Sequence, residues 1–299
     1  MNTRIQTNPI TTLIRAKLAD YSQLVKLRLA GTVVFSSVIT FAIANYGHVD
    51  LGYLLLLFLG GFLVTGSANA LNEVFEKDLD KLMKRTENRP LATGRMSSTE
   101  AILAAGIMGV AGILILGYFF NYLSAFLGAV SLFSYAFIYT PMKRLSPIAV
   151  FIGAIPGAMP PLIGWVAATG EISVIGLSIT MMQFLWQFPH FWSIAWVGEA
   201  DYKKAGFKLL PSEGGKDKFT ALQNIIYISV LIPVSLIPVM MGWVHWIGGA
   251  VILLAGVMFM LQAAQLFRTC EDADARKLMF VSIIYLPVVL MAMLIGRIG

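Results

Sequence analysis

Long uninterrupted apolar runs constrain this chain more than any other feature of its sequence. About nine windows of roughly 20 residues carry few or no charges, and this is the length an α-helix needs to cross the hydrocarbon of a bilayer. They lie near 28–46, 51–71, 101–120, 123–141, 147–168, 173–196, 221–243, 245–267 and 279–297. The runs predict an all-α polytopic membrane protein with about nine transmembrane helices.

Composition supports a membrane protein and excludes several other classes. Of the 299 residues, 58% are hydrophobic and 13% are charged, which leaves too little polar surface for a soluble domain. The single cysteine, Cys270, excludes a disulfide framework and a thiolate metal cluster. The net charge of +6 could indicate a nucleic-acid partner, but basic residues in a membrane protein more often set its topology.

The positions of the basic residues predict the orientation in the membrane. All of the 22 Lys and Arg residues except Arg297 fall in the N-terminal segment or in the loops after the second, fourth, sixth and eighth windows. By the positive-inside rule these segments are cytoplasmic and the carboxyl terminus lies outside. Residues 1–27, which include Arg4, lack a cleavage-site pattern and predict a cytoplasmic arm with an interfacial helix, not a signal peptide.

A polar row continues the second window into the cytoplasmic loop NEVFEKDLDKLMKRTENRP. Asn72, Glu76 and Asp80 (the acidic row) are spaced four apart. Each step of four advances about 6 Å along a helix and turns by about 40°, so the three side chains share one face and Asp78 points away. An amide and two carboxylates suit a hard cation, and Mg²⁺ completes its coordination with water and substrate phosphates. The acidic row therefore predicts a Mg²⁺ site at the end of a membrane helix.

Basic residues follow the acidic row directly. Lys81, Lys84, Arg85 and Arg89 would repel a bare metal but complement a metal bound to a diphosphate. Arg offers phosphate oxygens a planar fork and Lys a point charge. The alternative is a solvated loop that only obeys the positive-inside rule, with incidental Glu–Lys pairs. Carboxylates near hydrocarbon are costly unless neutralised, which favours the binding site.

A second acidic–basic loop follows the sixth window. Asp201 precedes Lys203 and Lys204, much as Asp80 precedes its own basic residues, which predicts that both loops lie on one cytoplasmic face around a central cavity. Parallel four-helix pseudo-repeats would explain the correspondence. The predicted divisions are a single domain over 28–299 and, within it, pseudo-repeats over 28–141 and 147–267 plus a ninth helix over 279–297.

Two further features lie at the cytoplasmic ends of spans. The segment YTPMKR places Lys143 and Arg144 after the fourth window, within reach of the same cavity. His190 lies in the cytoplasmic half of the sixth window and directly follows Pro189. This proline is expected to break the helix and to open its backbone toward the cavity. A functional and a structural role for His190 are both open from position alone. The prolines and glycines of AIPGAMPPLIGW favour a kinked, closely packed fifth span.

Three separated motifs carry a resemblance to a known family. N-x3-E-x3-D followed by KLMKRTENRPL, then YTPMKR, then WQFPHFWSIAW with DYKKAGFKLLP resemble the UbiA-type intramembrane prenyltransferases, and among them the branch that acts on haem. The resemblance covers essentially the whole chain. The family usually has two Asp-rich motifs, each binding Mg²⁺ and diphosphate. The acidic row matches the first; the second keeps only Asp201, with His190, Phe191 and Ile194 where quinone-type members have D-x3-D.

The resemblance implies a Mg²⁺-dependent transfer of the farnesyl group of farnesyl diphosphate to a vinyl group of haem b, with water addition, giving haem O for terminal oxidases. Haem A synthase or terminal oxidase assembly proteins would be partners, in addition to membrane lipid. The implied site residues are, for Mg²⁺, Asn72, Glu76, Asp80 and Asp201; for diphosphate, Lys81, Arg85, Arg89, Lys143, Arg144 and Lys204; for the allylic cation, Tyr135, Tyr139, Phe184 and Trp186; and for haem, His190.

Three alternatives are weighed against this interpretation. A prenyltransferase for a quinone precursor or other aromatic acceptor predicts an intact second acidic motif, which this sequence lacks. A secondary transporter predicts inverted repeats and midplane polar residues, whereas the acids here cluster at one face. A haem-binding or oxidase-assembly protein would explain His190 but not the acidic row. The arm lacks a transit-peptide pattern, so a bacterial inner membrane is expected. The active site is expected on the cytoplasmic side, and no nucleic-acid partner is expected.

Overall fold

A computed structural model describes residues 9–298, which form an all-helical protein. Arg4 and the rest of the predicted arm before position 9 lie outside the described residues. The elements in chain order are α1 (Pro9–Leu24), α2 (Leu27–Ala44), α3 (Leu51–Asp80), α4 (Ser98–Phe119), α5 (Tyr122–Phe133), a π-helix (Ser134–Tyr139), α6 (Thr140–Met142), α7 (Ala149–Thr169), α8 (Val174–Val197), α9 (Glu199–Lys204), α10 (Lys218–Ser235), α11 (Ile237–Met240), α12 (Trp246–Thr269) and α13 (Asp272–Ile295).

Eight helical segments of the described residues are long and apolar enough to cross a membrane. Two of them are composite, since α5, the π-helix and α6 form one segment and α10 and α11 form another. The predicted sixth span, α8, has 24 residues but falls outside the eight because Gln183, Gln187 and His190 make it more polar. The predicted class of polytopic all-α membrane protein is confirmed, with eight spans by this measure and α8 as a ninth long helix.

The long helices pack as two groups that are joined by the packing of α7 on α8 and by α2. One group contains α3, α4, α5 and α7; the other contains α8, α10, α12 and α13, with α13 closing against α8. α2 contacts α3, α7 and α13. The predicted pseudo-repeats over 28–141 and 147–267, with a ninth helix over 279–297, stay a prediction. The helices that precede the two acidic–basic loops, α3 and α8, each begin a group.

α3 carries the acidic row beyond its apolar window. Its 30 residues extend about 45 Å at 1.5 Å per residue, more than the roughly 30 Å of a hydrocarbon core. Asp50 caps its amino end by accepting hydrogen bonds from the backbone N–H groups of Gly52 and Tyr53. The predicted continuation of the second span's helix beyond its apolar window is confirmed.

α7 packs closely through small residues and stays helical through its three prolines. A Cβ added to Gly153 would lie 2.6 Å from the ring of Tyr139, so only glycine permits this contact. Pro161 lacks the N–H that would bond to the carbonyl of Gly157, and that carbonyl accepts a hydrogen bond from Gln183 Nε2 instead, at 2.8 Å. The close packing predicted for this segment is confirmed, and a side chain of α8 satisfies the carbonyl that Pro161 leaves open.

α1 is the helix of the arm. Lys17 Nζ lies 2.9 Å from a carboxylate oxygen of Glu100, which ties α1 to the start of α4. Leu13, Ile14 and Leu18 are exposed. A helix with apolar residues exposed in this way is typical of the membrane interface. The predicted helix is therefore present, and its position at the interface stays a prediction.

Candidate active site

Each member of the acidic row is paired with a basic side chain from a different segment of the chain. The pairs and their N···O distances are Asn72 with Lys26 (3.1 Å), Glu76 with Lys143 (2.8 Å) and Asp80 with Arg89 (2.8 and 2.9 Å). The turn before α2, the end of α6 and the loop after α3 thus converge on one face of α3. The predicted shared face is confirmed, because the acidic row is buried whereas Asp78 is exposed.

The acidic row is desolvated and depends on these partners. Asn72, Glu76 and Asp80 are 1%, 4% and 0% exposed. Taking a charge out of water costs on the order of several kcal/mol unless an opposite charge and hydrogen bonds compensate it. Asn72 Nδ2 also donates to Thr140 Oγ1 at 3.1 Å, so both ends of its amide are used. A ligand can therefore enter this site only by exchanging partners with groups already in place.

Lys26 is a site residue that the sequence pattern did not single out. Its φ of 53° lies in the left-handed region, which is uncommon for a residue other than glycine. Burial lowers the pKa of Lys26 to about 7, and the Arg89 and Lys143 cations act in the same direction. In the sequence it is one of several arm bases, and only its position directly before the first span sets it apart.

Glu73 is the second site residue that was missed. Its side chain is 0% exposed, and one carboxylate oxygen accepts the backbone N–H of Leu91 at 3.3 Å. The other oxygen, Oε2, has no hydrogen-bond partner among residues 9–298. Glu73 thus fastens the loop that carries Arg89 to α3, beside the acidic row. Its only signal in the sequence is its place next to Asn72.

Two tyrosines adjoin the Glu76–Lys143 pair. Lys143 Nζ lies 4.7 Å from the ring centroid of Tyr139, and the Tyr135 and Tyr139 centroids are 5.2 Å apart. Both tyrosines belong to the π-helix, a departure from α geometry that is frequent at functional sites. The structure therefore places Tyr139 beside Lys143 and Tyr135 beside Tyr139, and their role toward an allylic cation stays a prediction.

Phe184 and Trp186 lie elsewhere on α8. The ring of Phe184 packs on those of Phe188 and Phe151, with centroids 5.2 and 5.4 Å apart. Trp186 Nε1 donates to the backbone carbonyl of Ser282 on α13 at 2.7 Å. These contacts place the two residues in helix packing, and the structure does not join them to the tyrosine pair.

The second acidic–basic loop lies beside the first. Lys204 Nζ lies 3.0 Å from the carboxylate of Asp201, and the backbone amides of Lys84 and Arg85 also act to lower the pKa of this carboxylate. The bond from Lys204 is the largest cause that lowers the pKa of Asp201. Arg85 Nη2 also donates to the hydroxyl of Tyr202 at 3.0 Å. The bond between Arg85 and Tyr202 brings the two loops together on one face, as predicted.

Four predicted diphosphate ligands lie outside the buried pairs: Lys81, Arg85, Arg144 and Lys204. Lys81 forms an ion pair with Asp78 at 2.8 Å, and these side chains are 53% and 71% exposed. Lys204 is in an exposed ion pair, and Arg144 is exposed. Of the six predicted residues, those paired with the acidic row are Lys143 and Arg89.

His190 contacts α13 through its side chain. Its Nδ1 lies 2.8 Å from Ser282 Oγ, and its ring stacks on Trp186. The expected break at Pro189 is wrong, since α8 continues beyond it for two turns. A proline removes one bond of the helix ladder, and packing on both sides holds the rest of α8 in helical form.

The oxygen donors of the acidic row fit a divalent cation that arrives with a ligand. Glu76 and Asp80 supply carboxylates and Asn72 an amide oxygen, the hard donors that Mg²⁺ prefers. Among residues 9–298, no three His, Cys, Asp or Glu side chains converge so as to hold a metal by themselves. The donor set therefore suits an ion whose remaining positions are filled by phosphate oxygens and water.

The fold and the paired acidic row define a class of membrane enzyme. The model of the UbiA prenyltransferase family matches residues 33–284, and the chain belongs to this family of prenyltransferases. The chain is 44% identical over 278 residues to the Protoheme IX farnesyltransferase of Cytophaga hutchinsonii, with 93% of this chain and 97% of that protein covered. It is 43% identical over 289 residues to the Protoheme IX farnesyltransferase of Christiangramia forsetii, with 95% and 94% covered.

Solved structures share the fold. A digeranylgeranylglyceryl phosphate synthase superposes with a TM-score of 0.78 at 21% identity, covering 94% of this chain and 98% of that one. A UbiA homolog from Archaeoglobus fulgidus bound to GPP and Mg²⁺ gives 0.71 at 13% identity, covering 92% and 99%. At these identities the likeness shows the fold alone. The resemblance inferred from the motifs is confirmed at the level of the family.

Proposed function

We propose that the chain transfers the farnesyl group of farnesyl diphosphate to a vinyl group of protohaem IX (haem b), with addition of water, to give haem O. One observation carries the proposal: a buried acidic row whose three members are each paired with a basic residue. Such a site suits a diphosphate that enters with a divalent cation. The names of relatives at 43–44% identity support haem as the acceptor.

In the proposed mechanism the basic residues exchange partners when diphosphate binds. Lys26, Lys143 and Arg89 turn from the acidic row to diphosphate oxygens, Arg89 with a planar fork and the lysines as point charges. Because the site is buried, these contacts act at low dielectric and stabilise charge as it develops on the leaving diphosphate.

The acidic row would hold Mg²⁺ once its cations are released to the diphosphate. Mg²⁺, when bound, would neutralise further charge on the leaving group. We assign Asp201 to holding its own loop beside that of Lys84 and Arg85, since the backbone amides of these two residues lower the pKa of its carboxylate and the neighbouring Tyr202 accepts a hydrogen bond from Arg85.

The organic step needs no nucleophilic side chain. The C–O bond to diphosphate breaks, its electron pair leaves with the diphosphate, and an allylic farnesyl cation remains. The faces of Tyr135 and Tyr139 stabilise this cation through cation–π contact. The vinyl π electrons of haem b form the new C–C bond, and water adds to the resulting cation and loses a proton. The product is a hydroxyethylfarnesyl side chain.

We place this activity in the bacterial inner membrane, with the active site at the cytoplasmic side. The bias of basic residues supports this orientation, because every Lys and Arg except Arg297 falls within residues 1–28 or in the loops after the second, fourth, sixth and eighth windows. Both substrates have an apolar body and a charged end, which suits a membrane site with a polar edge. Haem A synthase or an oxidase assembly system would take up the product.

The test is a reaction of the purified full chain with haem b, farnesyl diphosphate and Mg²⁺, followed by mass spectrometry. We expect haem O. A quinone precursor serves as the control acceptor, because that rival activity predicts an intact second acidic motif. Prenylation of the quinone precursor without formation of haem O would refute haem b as the acceptor. Absence of both products would refute the proposed reaction.

A further inference from the structure

His190 is held in a closed set of contacts between α8 and α13. Its Nδ1 lies 2.8 Å from Ser282 Oγ, and its ring stacks on Trp186 with centroids 4.7 Å apart and planes 15° apart. Trp186 in turn donates from Nε1 to the backbone carbonyl of Ser282 at 2.7 Å. Trp186 therefore fixes the plane of the imidazole, and Ser282 fixes the rotation of the ring within that plane.

The hydrogen bonds of Ser282 decide which nitrogen of His190 carries a proton. A serine hydroxyl has one proton, and Ser282 Oγ donates it to the carbonyl of Met279 at 2.6 Å. Ser282 Oγ can then only accept from His190, so Nδ1 of His190 carries a hydrogen. In the neutral ring, Nε2 is therefore the unprotonated nitrogen. No side chain of residues 9–298 forms a hydrogen bond to it, and His190 is only partly buried.

We propose that Nε2 of His190 binds the iron of the haem acceptor as an axial ligand, and that Ser282 is the positioning residue that sets this tautomer. The inference rests on the proposed function, in which haem b is a substrate. Histidine ligands of metals usually donate their other ring N–H to a fixed acceptor, which orients the ring and raises its basicity. Neutral imidazole is a common ligand of haem iron. A partner of a haem propionate would need a proton on Nε2, which this tautomer lacks.

The first experiment titrates ferric haem b into the purified full chain in detergent, then reduces the complex with dithionite. Absorption and resonance Raman spectra of the wild type are expected to show a histidine-ligated haem with an iron–histidine stretching band. His190→Ala is expected to lose the band and to bind haem more weakly, while its affinity for farnesyl diphosphate is unchanged. Added imidazole is expected to restore the ligated spectrum.

The second experiment tests Ser282 and remains informative if His190→Ala does not accumulate. Ser282→Ala removes the acceptor at Nδ1, so we expect about tenfold weaker haem binding and an iron–histidine band shifted to lower frequency. Ser178→Ala is the matched control. Ser178 is also buried and also bonds the carbonyl three residues before it, at 2.7 Å, but in a different part of α8. It is expected to leave the band in place.

The outcomes separate this inference from the proposed function. Haem that binds tightly with the same spectrum in wild type and His190→Ala would overturn the axial ligand while leaving the reaction standing. An unshifted band with unchanged affinity in Ser282→Ala would overturn the positioning role. A wild-type chain that neither binds haem nor forms haem O would overturn both the inference and the proposed function.

Discussion

The Glu76–Lys143 pair offers a test that separates structural stabilisation from catalysis. The charged atoms are 2.8 Å apart, and the side chains are 6% and 11% exposed. At an effective dielectric of about 20 the attraction at this distance is about 6 kcal/mol, which the desolvation of both ions largely offsets. Removing one partner leaves the other charge buried and alone. We therefore expect Glu76→Met or Lys143→Met to lower the free energy of unfolding by about 3–5 kcal/mol.

Stability and turnover are expected to separate in the double variant Glu76→Met/Lys143→Met. No lone buried charge remains in it, so its stability should return to within about 1 kcal/mol of the wild type. Turnover should stay absent, because the mechanism uses the carboxylate for Mg²⁺ and the ammonium for diphosphate. Thermal unfolding in detergent measures the first quantity, and mass spectrometry of haem O formation measures the second.

The Asp78–Lys81 pair is the matched control, since its N···O distance is also 2.8 Å but both side chains are exposed. In this pair, the changes in the free energy of unfolding of the two single alanine variants are expected to add up to that of the double variant, so that no coupling is measurable. Turnover is expected to be unchanged in all three variants. Recovery of turnover in the double methionine variant would show that the buried pair is only structural. If the coupling energy between Asp78 and Lys81 equalled that between Glu76 and Lys143, burial would not set the strength of these pairs.

Further predictions address the rest of the site. Asp80→Asn keeps the size but not the charge of the side chain, so haem O formation should be lost while the protein still inserts in the membrane; near-normal activity across Mg²⁺ concentrations would contradict the metal site. Arg89→Lys should weaken farnesyl diphosphate binding about tenfold, or roughly 1.4 kcal/mol, because the fork is lost; unchanged binding would return Arg89 to a topology role. Lys26→Met should weaken the same binding without lowering the unfolding temperature, since it removes a partly buried cation whose pKa is already lowered to about 7. Calorimetric titration should detect Mg²⁺ binding only when diphosphate is present, and binding to the free protein would argue for a complete metal site.

The sequence by itself determined the membrane architecture and the shared face of the acidic row. Backbone groups inside hydrocarbon must be satisfied within the segment, so long apolar runs can only become helices, whatever they pack against. The helical repeat likewise places Asn72, Glu76 and Asp80 on one face without reference to any other part of the chain. The family followed from the same local motifs.

Only the tertiary structure decided which basic residue meets each member of the acidic row. Lys81 is the base nearest to Asp80 in sequence, yet it turns outward because adjacent helical positions point about 100° apart. Lys26 and Lys143 are separated in sequence by 46 and 67 residues from Asn72 and Glu76. Apolar periodicity identifies helices but not their neighbours, so such pairs arise only when whole helices pack. The same reason kept Ser282 hidden, since 92 residues separate it from His190 and the packing of α8 on α13 joins them.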